Sequence, residues 1–248
     1  MKKKRLAKEL FDRRAEDYAK GCFASKEHLE AMLLAAEPEA TQLALDVACG
    51  HGFLTEELAS QVKLAVGIDL AGGMLPERGR ACYLLGDAEH LPFRGESFDI
   101  LFCRFSFHHF PSPERALAEM YRVLRQGGTL VLADGISSEL EEKSQYLNQV
   151  EKLRDPSHVK LYSKSELLRM LVEGGFAIAR VFHWELHQEL EDWLSRAVGD
   201  ESLKARLRDI MKAELEENRT GLIFWEDSGK IYFAYQTVII AATKQFLR

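Results

Sequence analysis

The sequence is poor in cysteine and has no long apolar run. Its 248 residues include four cysteines, Cys22, Cys49, Cys82 and Cys103, none of them in a Cys-x-x-Cys pair. Such wide spacing is typical of reduced thiols and argues against a disulfide framework or a zinc site. No apolar stretch approaches the roughly 18 residues of a transmembrane helix, and the basic start is followed by a segment too charged for a signal peptide. We therefore expect a soluble, cytoplasmic protein without membrane insertion.

The sequence also lacks an excess of basic residues. Lys and Arg number 33 against 39 Asp and Glu, which gives a net charge of −6 and argues against a general nucleic-acid binder. The composition, 46% hydrophobic and 29% charged, excludes a disordered or collagen-like chain. Because no linker, repeat or low-complexity segment divides the chain, we expect a single domain over residues 1–248.

From residue 43 onward, short apolar segments alternate with helical periods. Strands are predicted at 43–47, 64–68, 98–103, 129–133, 176–184 and 231–243, with late helices near 187–198 and 201–217. Ser112-Pro113 predicts the start of a helix that Gly127-Gly128 would end. Alternating strands and helices build βαβ units. The sequence predicts an α/β fold: a doubly wound, Rossmann-like sheet, mostly parallel with an antiparallel C-terminal strand, and helices on both faces.

The flanking segments are expected to cover this core. Residues 1–42 predict an N-terminal helical cover, broken at Gly21, and 43–134 a ligand-binding core. Residues 135–162 predict a lid insertion, and 163–248 complete the sheet and its helices. Apolar residues of the lid would either line a pocket for an apolar or aromatic molecule or pack onto the core; they are Leu140, Tyr146, Leu147, Val150 and Leu153.

A glycine-containing turn follows the first strand, in the segment Leu45-Asp46-Val47-Ala48-Cys49-Gly50-His51-Gly52. Glycine lets the backbone approach a ligand closely. The spacing departs from the dinucleotide fingerprint, because Thr55 stands where a third glycine is required, and this argues against an NAD(P) oxidoreductase. Asp46 would repel a pyrophosphate but attract a cationic amino group. The turn therefore favours a ligand with an ammonium group.

Two further acids follow the next strands. Asp69 comes at the end of the second predicted strand, where a carboxylate can accept hydrogen bonds from the vicinal hydroxyls of a ribose. Asp87 is expected in a loop after strand three of the sheet and before the strand predicted at 98–103, which is therefore strand four; a carboxylate there can accept from an adenine amine. Each acid alone is more often a turn or cap residue. Together with the glycine turn, the three acids favour an adenosine-containing ligand.

With this glycine turn and these acids, the sequence resembles class I S-adenosylmethionine-dependent methyltransferases. The resemblance covers about residues 43–134 and is closest to the small-molecule group that includes ubiquinone and menaquinone C-methyltransferases. Besides the glycine turn it rests on the segments Gly67-Ile68-Asp69-Leu70 with Met74-Leu75, Gly86-Asp87-Ala88-Glu89-His90-Leu91-Pro92-Phe93, Ser97-Phe98-Asp99, Phe107-His108-His109-Phe110 and Glu119–Gly128.

The resemblance implies S-adenosylmethionine as cofactor, S-adenosylhomocysteine as product, and a set of cofactor-binding residues. The set is Tyr18, Asp46, Ala48, Gly50, His51, Gly52, Asp69, Leu70, Met74, Asp87, Ala88 and Arg104. Asp46 and Gly50 would hold the amino-acid end, Asp69 the ribose, and Asp87 with Ala88 the adenine. Ala48 replaces the family's usual first glycine and is expected to fit if its φ is negative. His51 would touch the cofactor carboxylate or point to solvent.

Histidines after the fourth predicted strand are candidates for a general base. His108 and His109 follow it at the rim where a methyl group should lie, and an imidazole suits proton removal at neutral pH. Ser106, His158 and Tyr162 are candidates for binding the methyl acceptor. Structural roles remain open for all five residues. No metal site is expected, because the cysteines and histidines lack ligand spacing.

The sequence therefore predicts a methyltransferase that acts on a small molecule at carbon, oxygen or nitrogen. A noncatalytic S-adenosylmethionine-binding or interaction protein remains an alternative, since no catalytic residue is secured. A nucleic-acid or protein methyltransferase is less favoured. Nucleic-acid amino-methyltransferases of this fold carry an Asn/Asp-Pro-Pro-aromatic motif after strand four, where this chain has Arg104-Phe105-Ser106-Phe107.

Overall fold

The computed structural model describes residues 2–18 and 25–245. The predicted break at Gly21 and the thiol of Cys22 lie outside these ranges. The helices are α1 (Lys2–Arg13), α2 (Ala15–Tyr18), α3 (Lys26–Ala36), α4 (Phe53–Ala59), α5 (Pro113–Val123), α6 (Glu141–Arg154), α7 (Lys164–Glu173), α8 (Leu190–Ser195) and α9 (Glu201–Glu217). The strands are β1 (Leu43–Val47), β2 (Leu64–Asp69), β3 (Cys82–Leu85), β4 (Phe98–Arg104), β5 (Leu124–Gly135), β6 (Phe176–Glu189), β7 (Ile223–Asp227) and β8 (Lys230–Lys244).

The strands form one sheet in the order β3-β2-β1-β4-β5-β8-β6, with β7 paired to β8. The first five strands of this order are parallel, and β8 runs antiparallel between β5 and β6. This confirms the predicted doubly wound fold with its antiparallel C-terminal strand. Because β1, β2, β4 and β5 are parallel, their carboxyl ends meet at one edge of the sheet. The loops that follow these strands therefore lie together there.

Apolar helix faces cover both sides of the sheet. On one side α5 and α7 contribute Leu117, Met120, Leu167 and Leu171 to a buried cluster with the strands. On the other side α3 and α4 contribute Met32, Leu33, Leu54 and Leu58. Burying aliphatic side chains of this size stabilises the fold by about 1.5–3 kcal/mol each. The predicted capping box at the start of α7 is present, with Ser163 and Glu166 bonded reciprocally.

A third apolar cluster lies beyond the carboxyl edge of the sheet. It joins α6 to α8, α9 and the first half of β8, with Leu147, Val150, Trp193, Met211 and Phe233 buried in it. The five apolar residues of the predicted lid belong to this cluster or to the surface: Leu147 and Val150 are buried in it, Tyr146 and Leu153 pack against it, and Leu140 is exposed. Of the two roles predicted for them, packing is therefore the one that the structure shows.

Two predicted boundaries are wrong and one strand was not predicted, and strand pairing explains the differences. β5 begins at Leu124, so α5 ends before Gly127-Gly128. β6 continues past the predicted end at residue 184 to Glu189, into the first residues of the helix predicted near 187–198, because it pairs with β8 as far as Tyr232. β7 was not predicted. It joins β8 through a tight turn in which Ser228 and Gly229 both have positive φ, so the Ser-Gly pair was the missed signal.

In the two described ranges, no helix combines the length and apolarity that crossing a membrane requires.

Candidate active site

A cavity opens at the carboxyl edge of the parallel strands. Its walls come from the loops after β1, β2, β3 and β4, from α1 and α2 on one side, and from α6 and α8 on the other. Most of the predicted cofactor residues line it: Tyr18, Ala48, Gly50, His51, Asp69, Leu70, Met74, Asp87, Ala88 and Arg104. So do His108, His109, Ser106 and His158. Asp46, Gly52 and Tyr162 are not in the lining.

The glycine turn after β1 has three residues in the left-handed backbone region. They are Ala48 (φ 58°), Gly50 (φ 53°) and Gly52 (φ 72°). The condition set for an unstrained fit of Ala48, a negative φ, is not met: the left-handed conformation costs an L-residue about 1–2 kcal/mol. Gly52 begins α4, and a Cβ there would collide with the Tyr83 ring. Gly52 thus shapes the turn from behind the cavity.

Asp69 holds this turn through two backbone hydrogen bonds. Its Oδ2 accepts from the Gly50 N–H and its Oδ1 from the Ala71 N–H, each at 2.8 Å. Burial raises the pKa of the Asp69 carboxyl, and these backbone donors act in the opposite direction. A carboxylate has about four acceptor positions. Asp69 therefore keeps acceptor capacity for hydroxyl groups in the cavity.

Asp46 lies beneath the turn instead of facing the cavity. Its side chain is buried and its Oδ2 accepts a hydrogen bond from the Thr55 hydroxyl at 2.7 Å. Burial raises the pKa of Asp46 from 3.8 to about 6. In this position Asp46 anchors α4 to the end of β1. Thr55 stands where the dinucleotide fingerprint requires a glycine, and its hydroxyl is the partner of Asp46.

Asp87 forms an ion pair with the N-terminal helix. Lys4 Nζ lies 2.6 Å from Asp87 Oδ2 and 2.7 Å from Glu89 Oε2, and Asp87 Oδ1 accepts from the Glu89 N–H at 2.9 Å. Burial alone would raise the pKa of Asp87, but the Lys4 ammonium and this backbone donor hold it below its usual value. Lys4, which the sequence did not single out, therefore binds α1 to the acid predicted to contact adenine.

The rest of the N-terminal cover contacts the cavity through His51 and Tyr18. His51 Nε2 lies 2.6 Å from the Ala15 carbonyl oxygen, so this nitrogen carries the proton. Neither predicted role of His51 describes this contact: the ring binds α2. Tyr18 packs against Phe11 with ring centroids 5.5 Å apart and beneath the Arg14 guanidinium. Both residues thus connect α1 and α2 to the cavity wall.

His108 is held by an acid that comes from the neighbouring strand. Its Nδ1 lies 2.7 Å from Asp134 Oδ1, and its backbone N–H donates to Asp134 Oδ2 at 3.0 Å. Burial would lower the pKa of His108, but attraction to Asp134 and this hydrogen bond raise it above its ordinary value. Because a carboxylate only accepts, Nδ1 carries the proton. Asp134 is the penultimate residue of β5, and the pairing of β4 with β5 brings it beside His108.

His109 and His158 complete a group of three imidazoles. Their ring centroids lie 4.2 Å (His108–His109), 5.7 Å (His108–His158) and 6.4 Å (His109–His158) apart. Burial, and then the neighbouring His108, lower the pKa of His109 to about 4 and that of His158 to about 3. His158 Nε2 donates to Asn148 Oδ1 at 2.8 Å. At neutral pH His109 and His158 are therefore uncharged, whereas the surroundings of His108 favour its charged form.

Of the other predicted acceptor-binding residues, one lines the cavity and one does not. The Ser106 hydroxyl faces backbone, donating to the Arg104 carbonyl at 2.9 Å. Tyr162 packs against Phe107 with ring centroids 5.9 Å apart, outside the cavity lining. The predicted acceptor role of Tyr162 therefore has no support from its position.

Comparisons with known proteins identify the family. Residues 45–132 match a family model described as a methyltransferase domain. The chain is 30% identical over 247 residues to the uncharacterized methyltransferase YcgJ of Bacillus subtilis, an alignment that covers 95% of this chain and 98% of that protein. The chain belongs to the class I S-adenosylmethionine-dependent methyltransferases. A crystal structure from Bacillus halodurans, assigned as a methyltransferase, matches it with a TM-score of 0.81 and 31% identity, over 89% of this chain and 100% of that one. A malonyl-[acyl-carrier protein] O-methyltransferase of Yersinia pestis is 30% identical over 145 residues, or 57% of this chain and 54% of that enzyme.

The inner end of the cavity in this methyltransferase is built by residues that the sequence did not reveal. Arg154 donates to Glu151 Oε2 from Nε at 3.1 Å and from Nη2 at 3.0 Å, and its guanidinium lies 4.9 Å from the Trp193 ring centroid. Trp193 Nε1 donates to the Tyr235 hydroxyl at 2.9 Å, which in turn donates to Glu151. At the same end Arg196 pairs with Asp192. These residues come from α6, α8 and β8, so no local motif unites them.

Within residues 2–18 and 25–245, no three or more His, Cys, Asp or Glu side chains are arranged to hold a metal ion.

Proposed function

We propose that this methyltransferase binds S-adenosylmethionine in the outer part of the cavity and methylates a small molecule held at the inner end. When bound, the cofactor supplies a methyl group on a sulfonium sulfur. The chain's task is then to position donor and acceptor, since alignment accounts for much of the catalysis of such transfers. The walls formed by α1, α2, α6 and α8 would keep water out of the reaction.

One observation carries the proposal: the glycine turn, Asp69 and Asp87 share one cavity with His108 and His109. The acids suit the cofactor's polar groups. Asp69 has acceptor capacity for the ribose hydroxyls, and Asp87 for the adenine amine once Lys4 withdraws. The imidazoles line the same cavity and suit removal of a proton from the acceptor. The cavity thus joins a donor half and an acceptor half.

The same arrangement favours an enzyme over a passive cofactor-binding protein. Such a protein would need the donor half alone. Here the acceptor half is equally organised, with His108 fixed by Asp134 and Arg154 fixed by Glu151 and Trp193. Buried polar networks in which every member is bonded define a rigid pocket.

Titration calorimetry with S-adenosylmethionine and S-adenosylhomocysteine tests the donor half. We expect Asp69→Asn to weaken binding about tenfold or more, because a hydrogen bond to a charged group contributes about 1.5–3 kcal/mol. Glu57→Gln, an exposed acid on α4, is the matched control and should bind like the wild type. Absence of binding by the wild type would refute the proposal, whereas unchanged affinity in Asp69→Asn would refute the ribose assignment alone.

Transfer of a labelled methyl group tests the acceptor half. The protein is incubated with labelled S-adenosylmethionine and a cell extract that has been separated into small-molecule, protein and nucleic-acid fractions. We expect label in the small-molecule fraction. Label confined to protein or nucleic acid would refute the small-molecule assignment, and binding without transfer to any fraction would favour a noncatalytic role.

A further inference from the structure

The second imidazole of the cavity, His109, is connected to a buried acid through a hydroxyl group. His109 Nδ1 lies 3.2 Å from Ser157 Oγ, and Ser157 Oγ lies 2.6 Å from Asp155 Oδ1. Asp155 also accepts the backbone N–H of Ser157 at 2.8 Å and is itself buried. Asp155 follows directly after α6, and Pro156 separates it from Ser157. The three side chains form a chain of hydrogen bonds that ends in the cavity.

The direction of these hydrogen bonds follows from the chemistry of the groups. A hydroxyl has one proton, and a carboxylate can only accept. Asp155 is ionised, since its pKa lies below the ordinary value: burial would raise it, but the nearby His109 and the Ser157 hydroxyl outweigh burial. The Ser157 proton therefore points to Asp155, and Ser157 Oγ must accept from His109. It follows that His109 carries its proton on Nδ1, which leaves Nε2 as the unprotonated nitrogen.

Two arginines at this end of the cavity are paired with acids of the chain. Arg154 binds Glu151, and Arg196 binds Asp192. An acceptor therefore need not bring a charge to satisfy them, which favours a neutral molecule over a carboxylate or an ammonium ion.

We propose that Asp155 and Ser157 are positioning residues that hold His109 with Nε2 free to take the proton from a hydroxyl group of a neutral acceptor. This inference rests on the proposed function and names the acceptor class and the base. The acceptor O–H proton moves to His109 Nε2, and the oxygen forms a bond to the methyl carbon. The bond from that carbon to sulfur breaks, and its electron pair remains on sulfur as the neutral thioether. Asp155, acting through Ser157, stabilises the resulting imidazolium.

The surroundings of His109 set its protonation. His108 and His158 lie beside it, Asp134 and Asp155 act from β5 and the turn after α6, and a hydrogen bond with the Ser157 backbone also raises its pKa. Burial and His108 lower the pKa of His109 to about 4, so its Nε2 is unprotonated through the neutral range. The raised pKa of His108 favours its charged form, which has no free ring nitrogen to accept a proton.

Nitrogen NMR of the full-length protein with labelled histidine tests the positioning without cofactor or acceptor. Long-range proton–nitrogen correlations report which ring nitrogen carries the proton. We expect His109 to be protonated on Nδ1 alone at pH 7. Ser157→Ala should produce a mixture of the two tautomers, and Ser157→Thr should restore the wild-type pattern because it keeps the hydroxyl. Ser144→Ala is the matched control, since this buried α6 serine bonds Ser137.

A wild-type His109 protonated on Nε2, or an unchanged tautomer in Ser157→Ala, would overturn the positioning role. A turnover measurement with 2-naphthol and labelled S-adenosylmethionine tests the base. We expect Ser157→Ala to lower kcat about tenfold with little change in KM, and Ser157→Thr to restore it. Full turnover by Ser157→Ala, or no methylation of 2-naphthol by the wild type, would overturn the hydroxyl assignment. Calorimetry with the cofactor distinguishes these results from failure of the proposed function.

Discussion

The left-handed conformation of Ala48 predicts that a glycine at this position stabilises the protein. The φ of 58° costs an L-residue about 1–2 kcal/mol, a strain that glycine does not have. Two effects oppose the gain. Glycine loses about 0.4–1 kcal/mol more conformational entropy on folding, and the partly buried methyl group contributes up to about 0.8 kcal/mol. The expected net effect of Ala48→Gly is a stabilisation of about 0.5 kcal/mol.

The same substitution at Ala44, within β1, should have the opposite sign, and the pair of variants therefore makes a sharp test. Ala44 is fully buried in the strand and has no positive φ. Ala44→Gly therefore loses the methyl contribution and the entropy without any relief of strain, a destabilisation of about 1.5 kcal/mol. The two variants should differ by about 2 kcal/mol in the free energy of unfolding, or roughly 4–8 °C in Tm for a chain of this size.

Urea and thermal unfolding followed by circular dichroism measure this difference. Equal destabilisation by the two substitutions would refute the reasoning, because it would mean that the turn at Ala48 relaxes without strain. A stabilising Ala48→Gly should also retain S-adenosylmethionine binding, since the glycine turn keeps its shape.

Two further predictions concern acids of the site. If Asp87 accepts a hydrogen bond from the adenine amine, Lys4 and the cofactor compete for its carboxylate. Lys4→Met should then tighten S-adenosylmethionine binding several-fold in calorimetry, whereas Lys3→Met, at an exposed neighbour, should leave it unchanged. Equal affinities of the two variants would contradict this competition. The pKa of Asp46 is about 6 in the folded protein, against 3.8 for an ordinary Asp. Between pH 4 and 6 the folded protein therefore keeps a proton that the unfolded chain has lost. As the pH rises through this range, the contribution of Asp46 to the free energy of unfolding falls by about 3 kcal/mol, and above pH 6 it stays constant. Asp46→Asn keeps an acceptor for the Thr55 hydroxyl but cannot titrate, so it should remove this fall in stability between pH 4 and 6. Urea unfolding at a series of pH values measures the effect. A variant whose stability depends on pH as the wild type's does would contradict the prediction.

Most of the sheet followed from local patterns. Apolar segments of strand length, glycine turns and helix caps such as Ser163 are determined by neighbouring residues, and they predicted the parallel core and its cofactor face. The errors came where distant pairing decides the conformation. β6 extends five residues beyond its predicted end, into the start of the helix predicted near 187–198, because β8 pairs with it as far as Glu189. The β7 hairpin had a local signal, the Ser-Gly turn, which went unused.

The site divides in the same way. By itself the sequence predicts the proposed donor half, because the glycine turn, Asp69 and Asp87 each stand at a fixed offset from a strand end, and parallel strands bring those ends together. Only the tertiary structure decided what these residues bond to: Lys4 to Asp87, Thr55 to Asp46, and Ala15 to His51.

The acceptor half depended on tertiary structure almost entirely. Asp134 reaches His108 across the β4–β5 pairing, and Ser157 reaches His109 from the turn after α6. Asp134 lies 26 positions from His108 and Ser157 lies 48 positions from His109, so no periodicity or motif connects either pair. Local sequence specifies where a strand ends and which side chain stands there. The protonation of that side chain depends on burial and on neighbours that only the folded chain brings within a few ångströms.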